Sequence, residues 1–131
     1  MNPRLLLDTH VLVRWLAQPK RLSREQMRVL MEAARHEQPL ALSAMTLLEI
    51  AVLTERAVLH VSAGALLADL ESPAFQIIPI SLEIAREFAA LGDALRDPAD
   101  RAIFSTARVH GLRLVTSDER IIRSRLVPVI D

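Results

Sequence analysis

The stretch RLLLDTHVLVRWL, residues 4–16, decides the fold predicted for this chain. Its first four residues have the apolar run of a short buried strand, and the residues from 9 to 17 place Val11, Leu12 and Trp15 at helical spacing. Between strand and helix lies Asp8, whose carboxylate is costly beside an apolar core unless it caps a helix, pairs with a cation or binds a metal ion. The chain therefore passes from strand to helix at an acid that needs a partner.

The alternation of strand and helix continues to the end of the chain. Further strands are predicted over residues 40–43, 75–80, 112–117 and 126–130, the last as an edge strand. Further helices are predicted over residues 23–37, 46–56, 62–72, 81–95, 97–111 and 118–124. Strands separated by helices of this length require right-handed crossovers. We therefore predict one domain, residues 1–131, folded as a three-layer α/β/α sandwich with a mostly parallel sheet of four to five strands.

Two of the predicted helices show which face should lie inward. In the helix over residues 23–37, Ser23 and Gln26 have the spacing of a capping box. The stripe that we expect to face the core consists of Met27, Leu30, Met31 and Ala34. In the helix over residues 46–56, the expected inward positions are Leu47, Ile50, Leu53 and Ala57.

The composition limits the classes of protein to consider. The 131 residues are 51% hydrophobic, which is enough for a core, and the absence of cysteine excludes disulfides and thiolate metal sites. A net charge of zero argues against the broad basic surface of proteins that bind nucleic acid through many phosphate contacts. The lack of cysteine gives no sign of an oxidising compartment, so we expect a cytoplasmic protein. No apolar run is long enough for a membrane span, so we expect no membrane partner.

Five acids fall where predicted strands end or where the helices that follow them begin. They are Asp8, Glu49, Asp97, Asp100 and Asp118. Each also has a helix-capping explanation, because Asp8, Asp97 and Asp118 precede predicted helices, DPAD is a favourable helix start and TLLE fits a Thr/Glu capping box. In parallel sheets, however, ligands bind beyond the carboxyl ends of the strands. The five acids are therefore expected to meet at one edge.

Four carboxylates brought together in this way would repel one another strongly. At about 5 Å and an effective dielectric near 20, each like-charge pair costs roughly 3 kcal/mol, against a typical domain stability of about 5–15 kcal/mol. The carboxylates must therefore take up protons, spread apart or share a cation. With oxygen ligands only, the favoured cation is Mg²⁺ or Mn²⁺, and phosphoryl chemistry is its common use. We expect Asp8→Asn to relieve the repulsion and leave the metal-free fold intact or slightly more stable.

Four segments around these acids resemble the acidic blocks of the PIN-domain ribonucleases, in particular the VapC toxins of bacterial toxin–antitoxin pairs. They are LLLDTHVLVRWL, LSAMTLLEIAVL, RDPADRAIFSTA and LVTSDERI, in that order along nearly the whole chain. The resemblance implies a PIN-like fold and divalent-metal-dependent endoribonuclease activity on RNA. It also implies a homodimer and a cognate antitoxin that blocks the active site, with DNA contacted only through the antitoxin.

The resemblance also implies roles for individual residues. The four acids of the family correspond to Asp8, Glu49, Asp100 and Asp118, which would be the catalytic metal ligands. Auxiliary positions are Asp97 and the polar residues Thr9, Ser43 and Thr116, which would orient the acids or water. The sequence departs from the family pattern at Ala99, Leu48 and Arg14, none of which removes a ligand.

Arginines near the acidic blocks are candidates for contacts with RNA phosphates. They are Arg14, Arg96, Arg101 and Arg120, each of which could also be an ordinary solvated arginine. Aromatic residues make up only 3% of the chain, so base stacking has little support. For His10, beside the first acid, we predict a packed or exposed helix histidine rather than a ligand.

Three other functions are compatible with parts of this pattern. A phosphatase of the haloacid-dehalogenase type needs a second aspartate two residues after Asp8, where this chain has His10. A receiver domain needs a late lysine, and the only lysine is Lys20. A non-catalytic PIN-like subunit that acts through an antitoxin is the remaining alternative, against which the presence of all four acids argues.

Overall fold

The computed structural model describes residues 2–55 and 62–131. The strands are β1 (Leu5–Leu7), β2 (Leu40–Ser43), β3 (Phe75–Ile78), β4 (Arg113–Val115) and β5 (Val129–Ile130). The helices are α1 (Thr9–Ala17), α2 (Arg24–Arg35), α3 (Ala44–Glu55), α4 (Ala63–Asp69), α5 (Leu82–Leu91), α6 (Pro98–His110) and α7 (Glu119–Ser124). Short 3₁₀ turns cover Pro19–Arg21 and Gly92–Ala94. No helix among the described residues combines the length and the apolar character needed to cross a bilayer.

The five strands form one sheet in the order β3-β2-β1-β4-β5, and every neighbouring pair is parallel. The predicted α/β fold is confirmed, with β5 at an edge as expected. The chain builds outward from β1 in one direction through β2 and β3, and in the other through β4 and β5. The order of the strands therefore reverses between β1 and β4, which is where open α/β sheets bind ligands.

The sheet separates two apolar cores. Leu6, Ala41 and Leu114 point to the face covered by α5, α6 and α7, whereas their neighbours along each strand point to the face covered by α1 to α4. Because both faces are covered, β1 and most of β2 are apolar without alternation, as expected for buried parallel strands, whereas Gln76 on β3 and Arg113 on β4 are exposed. In β1 and β2, polar side chains are therefore confined to the strand ends.

Helix α2 packs through a different face from the one predicted. Met31 is 50% exposed and Ala34 is exposed, while the buried positions are Gln26, Val29, Leu30 and Ala33. Of the predicted stripe, Leu30 is buried as expected and Met27 is partly buried, but the prediction was wrong for Met31 and Ala34. Gln26 is fully buried, and its hydrogen bonds to Ser23 and Ser117 set the rotation of the helix.

Two other predicted helices differ in their ends. The segment predicted as one helix over residues 81–95 stops at Leu91, because Gly92 takes a left-handed φ of 53° and begins the 3₁₀ turn. Helix α3 begins at Ala44, two residues before the predicted start, after the Ser43 hydroxyl accepts a hydrogen bond from the Met45 N–H. The predicted inward position Ala57 lies outside the described residues.

Candidate active site

The site is organised around Asp8, which follows β1 at the reversal of strand order. Its side chain is almost completely buried, at 3% exposure. The Asp8 backbone N–H donates to the carbonyl of Val115 on β4 at 3.0 Å. One carboxylate oxygen, Oδ1, accepts from the Thr9 N–H at 2.9 Å, and the other, Oδ2, accepts from the Thr116 hydroxyl at 2.7 Å. Asp8, which follows β1, is thereby also held by the end of β4.

Glu49 reaches the same edge from α3. Its Oε1 accepts a hydrogen bond from the Thr9 hydroxyl at 2.6 Å, and that hydroxyl lies 3.0 Å from the Thr46 hydroxyl. The capping-box alternative for TLLE was wrong, because α3 begins at Ala44 and Thr46 therefore lies inside the helix. Thr9 instead connects the acid of α3 to the first turn of α1, directly beside Asp8.

Asp118 caps α7 and is joined to Asp8 through Thr116. Its Oδ1 accepts from the N–H groups of Arg120 at 2.9 Å and Ile121 at 3.4 Å. Its own N–H donates to the Thr116 hydroxyl at 3.0 Å, the same hydroxyl that donates to Asp8. The helix-capping explanation of Asp118 is confirmed, and it is compatible with a functional role because Oδ2 accepts no hydrogen bond from the described residues.

Asp97 and Asp100 belong to the start of α6. Asp97 is the N-cap, and its Oδ2 accepts from the Asp100 N–H at 3.0 Å, so this capping explanation is also confirmed. The Asp100 carboxylate makes no hydrogen bond within the described ranges. Both acids border a cavity of about 190 Å³ that Arg96 and Arg120 also line. Asp100 is thus the acid whose oxygens are most available for a ligand.

Electrostatics links all five acids. Burial, together with the negative charges of Asp8, Asp97, Asp118 and Glu49, raises the pKa of Asp100 to about 7. Burial also raises the pKa of Glu49, opposed by the hydrogen bond from Thr9 and assisted by the charges of Asp8 and Asp97. Among the described residues, the only basic side chains within 4 Å of these acids are His10, near Asp8, and Arg120, 3.9 Å from Asp118. The cluster is therefore short of positive charge.

The donor set fits a hard divalent cation, since it consists of carboxylate and hydroxyl oxygens beside a carboxyl group whose pKa is raised by its neighbours. However, no three acid or histidine side chains in the described ranges are close enough together to hold a metal ion as they stand. The repulsion is limited by two of the means expected from the sequence, namely spacing of the carboxylates and partial protonation of Asp100 near neutral pH. Side chains would have to move to bring three ligands onto one ion.

The remaining residues predicted for the site differ in the contacts they make. Ser43 is buried and its hydroxyl accepts a hydrogen bond from the Met45 N–H, with none to an acid among the described residues. Arg14 lies with Nη1 3.5 Å from the Ser117 hydroxyl, beside the Asp118 turn. Arg101 is held by α5: its Nε donates to the Phe88 carbonyl at 2.8 Å and its guanidinium lies 4.0 Å from the centre of the Phe88 ring. Arg96 and Arg120 are therefore the arginines best placed for a phosphate.

Two polar residues beside the acids, His10 and Gln26, were not predicted as part of the site. His10 lies with Nδ1 3.4 Å from Asp8 Oδ2, and its Nε2 accepts a hydrogen bond from the Ser117 N–H at 3.0 Å. Burial lowers the pKa of His10, although the Asp8 charge opposes that shift. The buried Gln26 donates from Nε2 to the Ser117 hydroxyl at 3.0 Å. The only signal in the sequence was the position of His10 two residues after Asp8.

The amino-acid sequence is similar to that of a known family over most of its length. A family model described as PIN domain matches residues 5–125 of this chain. Ribonuclease VapC22 of Mycobacterium tuberculosis (strain ATCC 25618 / H37Rv) is 37% identical over 120 residues, which cover 89% of this chain and 88% of that protein. The PIN-domain match includes all five acids.

Solved structures share the fold over nearly the whole chain. FitAcB from Neisseria gonorrhoeae is 25% identical with a TM-score of 0.69, covering 97% of this chain and 96% of that chain. VapBC2 from Rickettsia felis, bound to a DNA fragment from their promoter, is 18% identical with a TM-score of 0.74, covering 95% of this chain and 96% of that chain. At 18% identity, the second likeness concerns the fold alone.

Proposed function

This chain belongs to the PIN-domain family of VapC-type ribonuclease toxins, and on that premise we propose that it is an endoribonuclease that requires Mg²⁺ or Mn²⁺. The observation that carries the proposal is the Asp100 carboxyl group. The charges of four other carboxylates help to raise its pKa to about 7. The group also borders a cavity lined by two arginines. Such a site attracts a divalent cation on one side and a phosphate on the other.

The proposed ligands of the cation are Asp8, Glu49, Asp100 and Asp118. When bound, the ion would polarise the scissile phosphate and lower the pKa of a water molecule. The chain's own contribution is to hold the acids: Thr9 bonds to Glu49 and Thr116 bonds to Asp8, each at less than 2.8 Å. We infer that these two hydroxyls keep the carboxylates pointed into the site before RNA arrives.

The remaining polar groups would handle the substrate and the first turn of α6. Asp97 acts indirectly, because its bond to the Asp100 N–H sets the start of the helix that carries Asp100. Arg96 and Arg120, which line the cavity beside Asp100, are proposed to contact RNA phosphates on either side of the cleaved bond. From the family resemblance, the products should carry a 5′ phosphate and a 3′ hydroxyl.

We propose a cognate antitoxin and a second copy of the chain as protein partners, with DNA contacted only through the antitoxin. Several solved structures with this fold are of toxin–antitoxin complexes, and some contain DNA. On α3, Leu48 and Val52 are 63% and 42% exposed and border an apolar cavity next to Glu49. An apolar surface adjoining an acid of the site supports a partner that could cover it.

A non-catalytic binding subunit remains the second candidate function. The observation in its favour is the spacing of the acids, since no three ligand side chains in the described ranges are close enough to hold an ion without moving. A titration with Mn²⁺ separates the two functions, because a subunit that acts only through its antitoxin has no need of a saturable metal site.

The proposal predicts RNA cleavage that depends on a divalent cation. Purified protein should cleave single-stranded RNA in Mg²⁺ or Mn²⁺, lose the activity in excess chelator and regain it when Mn²⁺ is restored, because the ion supplies several kcal/mol of transition-state stabilisation. Gel analysis of end-labelled RNA measures the effect. Sequencing the new 5′ ends after brief expression would identify the substrate. Undiminished cleavage in chelator would contradict the metal dependence.

A further inference from the structure

We propose that His10 is a positioning residue, a neutral imidazole that joins the first acid of the site to the turn that carries the last one. The inference rests on the proposed function, because it concerns the distance between Asp8 and Asp118. It assigns a role to a side chain that the sequence indicated only as a packed or exposed helix histidine.

The hydrogen bond to Ser117 determines which imidazole nitrogen carries the proton. A backbone N–H can only donate, and the Ser117 N–H points to His10 Nε2 at 3.0 Å. Nε2 must therefore be unprotonated, which leaves the proton of the neutral ring on Nδ1. Nδ1 lies 3.4 Å from Asp8 Oδ2, so the polar N–H edge of the ring faces the buried carboxylate. His10 thus contacts both sides of the site through different atoms of one ring.

The turn at Ser117 is held from a second direction. Gln26 donates to the Ser117 hydroxyl at 3.0 Å, while its own side-chain oxygen accepts from the Ser23 N–H in the capping box of α2. Gln26 is fully buried, so its rotamer is restricted by packing. Ser117 is therefore held through its backbone by α1 and through its side chain by α2.

This arrangement bears directly on Asp118, the next residue. The Thr116 hydroxyl, on the other side of Ser117, donates to Asp8 and accepts from the Asp118 N–H. A shift of Ser117 would therefore move the two neighbours that join Asp8 to Asp118. Since Ser117 itself is exposed, water can replace His10 as the acceptor of its N–H. Loss of His10 should accordingly change the position of the turn much more than the stability of the fold.

Three substitutions separate the two contacts of the ring. Glutamine can place a side-chain oxygen near the position of Nε2 and accept from the Ser117 N–H, whereas asparagine reaches only the position of Nδ1 and alanine reaches neither. His110→Gln, at an exposed position at the end of α6, is the matched control. Each variant is measured for Mn²⁺ affinity by calorimetry, for kcat and KM on a fixed RNA, and for melting temperature.

We expect His10→Ala and His10→Asn to lower kcat and Mn²⁺ affinity by about 10–100-fold, the usual cost of losing an outer-shell partner of a metal ligand, with KM for RNA nearly unchanged. Because His10→Gln keeps an acceptor for the Ser117 N–H, its kcat and Mn²⁺ affinity should stay within about threefold of the wild-type values. Its melting temperature should match that of the other variants. An alanine variant with wild-type kcat and Mn²⁺ affinity would overturn the proposal. So would a glutamine variant as impaired as alanine.

A measurement that needs neither metal nor RNA keeps this inference separate from the proposed function. Long-range ¹H–¹⁵N correlation spectra of the metal-free protein at neutral pH should show His10 as the Nδ1–H tautomer. The Nε2–H tautomer would overturn the inference even if cleavage were normal. Conversely, a wild-type protein that neither binds Mn²⁺ nor cleaves RNA would refute the proposed function, while the tautomer would still decide whether His10 joins the two sides of the site.

Discussion

Replacing Asp100 by asparagine should abolish RNA cleavage and leave the fold at least as stable as that of the wild type. Burial and four neighbouring carboxylates disfavour the ionised form of Asp100 and raise its pKa to about 7. Its side chain makes no hydrogen bond within the described residues, so a neutral amide removes repulsion and breaks no contact. Loss of a metal ligand should lower kcat by at least about 10³-fold, since a catalytic ion contributes several kcal/mol.

The matched control is Asp69→Asn, an exposed position at the end of α4 that contacts none of the five acids. This variant should cleave RNA at the wild-type rate in the same Mn²⁺ concentration. A thermal unfolding curve is recorded for both variants to show that they are folded. An Asp100→Asn protein that is folded and cleaves RNA within tenfold of the control would remove Asp100 from the site.

Asp8→Asn should behave differently from Asp100→Asn, although both variants should be inactive. Sequence alone led us to expect that neutralising Asp8 would leave the fold intact or slightly more stable. The structure revises that expectation, because both Asp8 oxygens accept hydrogen bonds, from the Thr9 N–H and the Thr116 hydroxyl. An amide can accept at one oxygen only, so one buried donor loses its partner at a cost of about 1–3 kcal/mol. We expect a lower melting temperature for Asp8→Asn than for Asp100→Asn.

The stability of the metal-free protein, relative to that of Asp100→Asn, should fall as pH rises from 5 to 8. The pKa of Asp100 is raised from an ordinary 3.8 to about 7, so the folded protein binds the proton more tightly than the unfolded chain does. That stabilisation is complete below the unfolded pKa and is lost as pH rises through the folded pKa. Because Asp100 is only half-buried, we expect a change of about 1–2 kcal/mol, or roughly 3–8 °C in melting temperature.

Mn²⁺ should reverse this trend in the wild type and not in the variant. The ion needs the ionised carboxylates, so its stabilising effect should be largest at pH 8, reaching about 2.7 kcal/mol at a hundredfold excess over Kd. The lowered pKa of His10 makes the fold less stable on acidification below about pH 6.5, which opposes the effect of Asp100. His10 is present in both proteins, so subtracting the stability curve of Asp100→Asn from that of the wild type removes its contribution. A wild-type curve parallel to that of Asp100→Asn, with and without Mn²⁺, would contradict the electrostatic account.

The features that could be predicted from sequence are those set by neighbouring residues. Asp97 and Pro98 begin α6 and Gly111 ends it with a left-handed φ of 64°, as capping rules predict. The strand-to-helix change at Asp8 was also predicted, because an apolar run followed by a capping acid is a local pattern. These elements, together with the crossover rule, were enough to give the parallel sheet and the edge at which the acids lie.

The features that could not be predicted depend on residues far apart in the chain. The bond between Gln26 and Ser117 joins positions 91 residues apart, and it turns a polar side chain of α2 into a buried one. Thr46 and Glu49 matched a local capping motif, but their partner is Thr9, which the motif could not reveal. In each case a hydrogen bond satisfied across the fold outweighs the local preference that sequence patterns describe.

Anomalous diffraction at the manganese edge, from crystals grown in Mn²⁺, tests most directly whether these acids share a divalent cation. We predict an anomalous peak among the carboxylates of Asp8, Glu49, Asp100 and Asp118 in the wild type, and a weaker or missing peak in Asp100→Asn. A wild-type crystal with no anomalous peak among these acids at saturating Mn²⁺, or with manganese bound only elsewhere, would contradict the account.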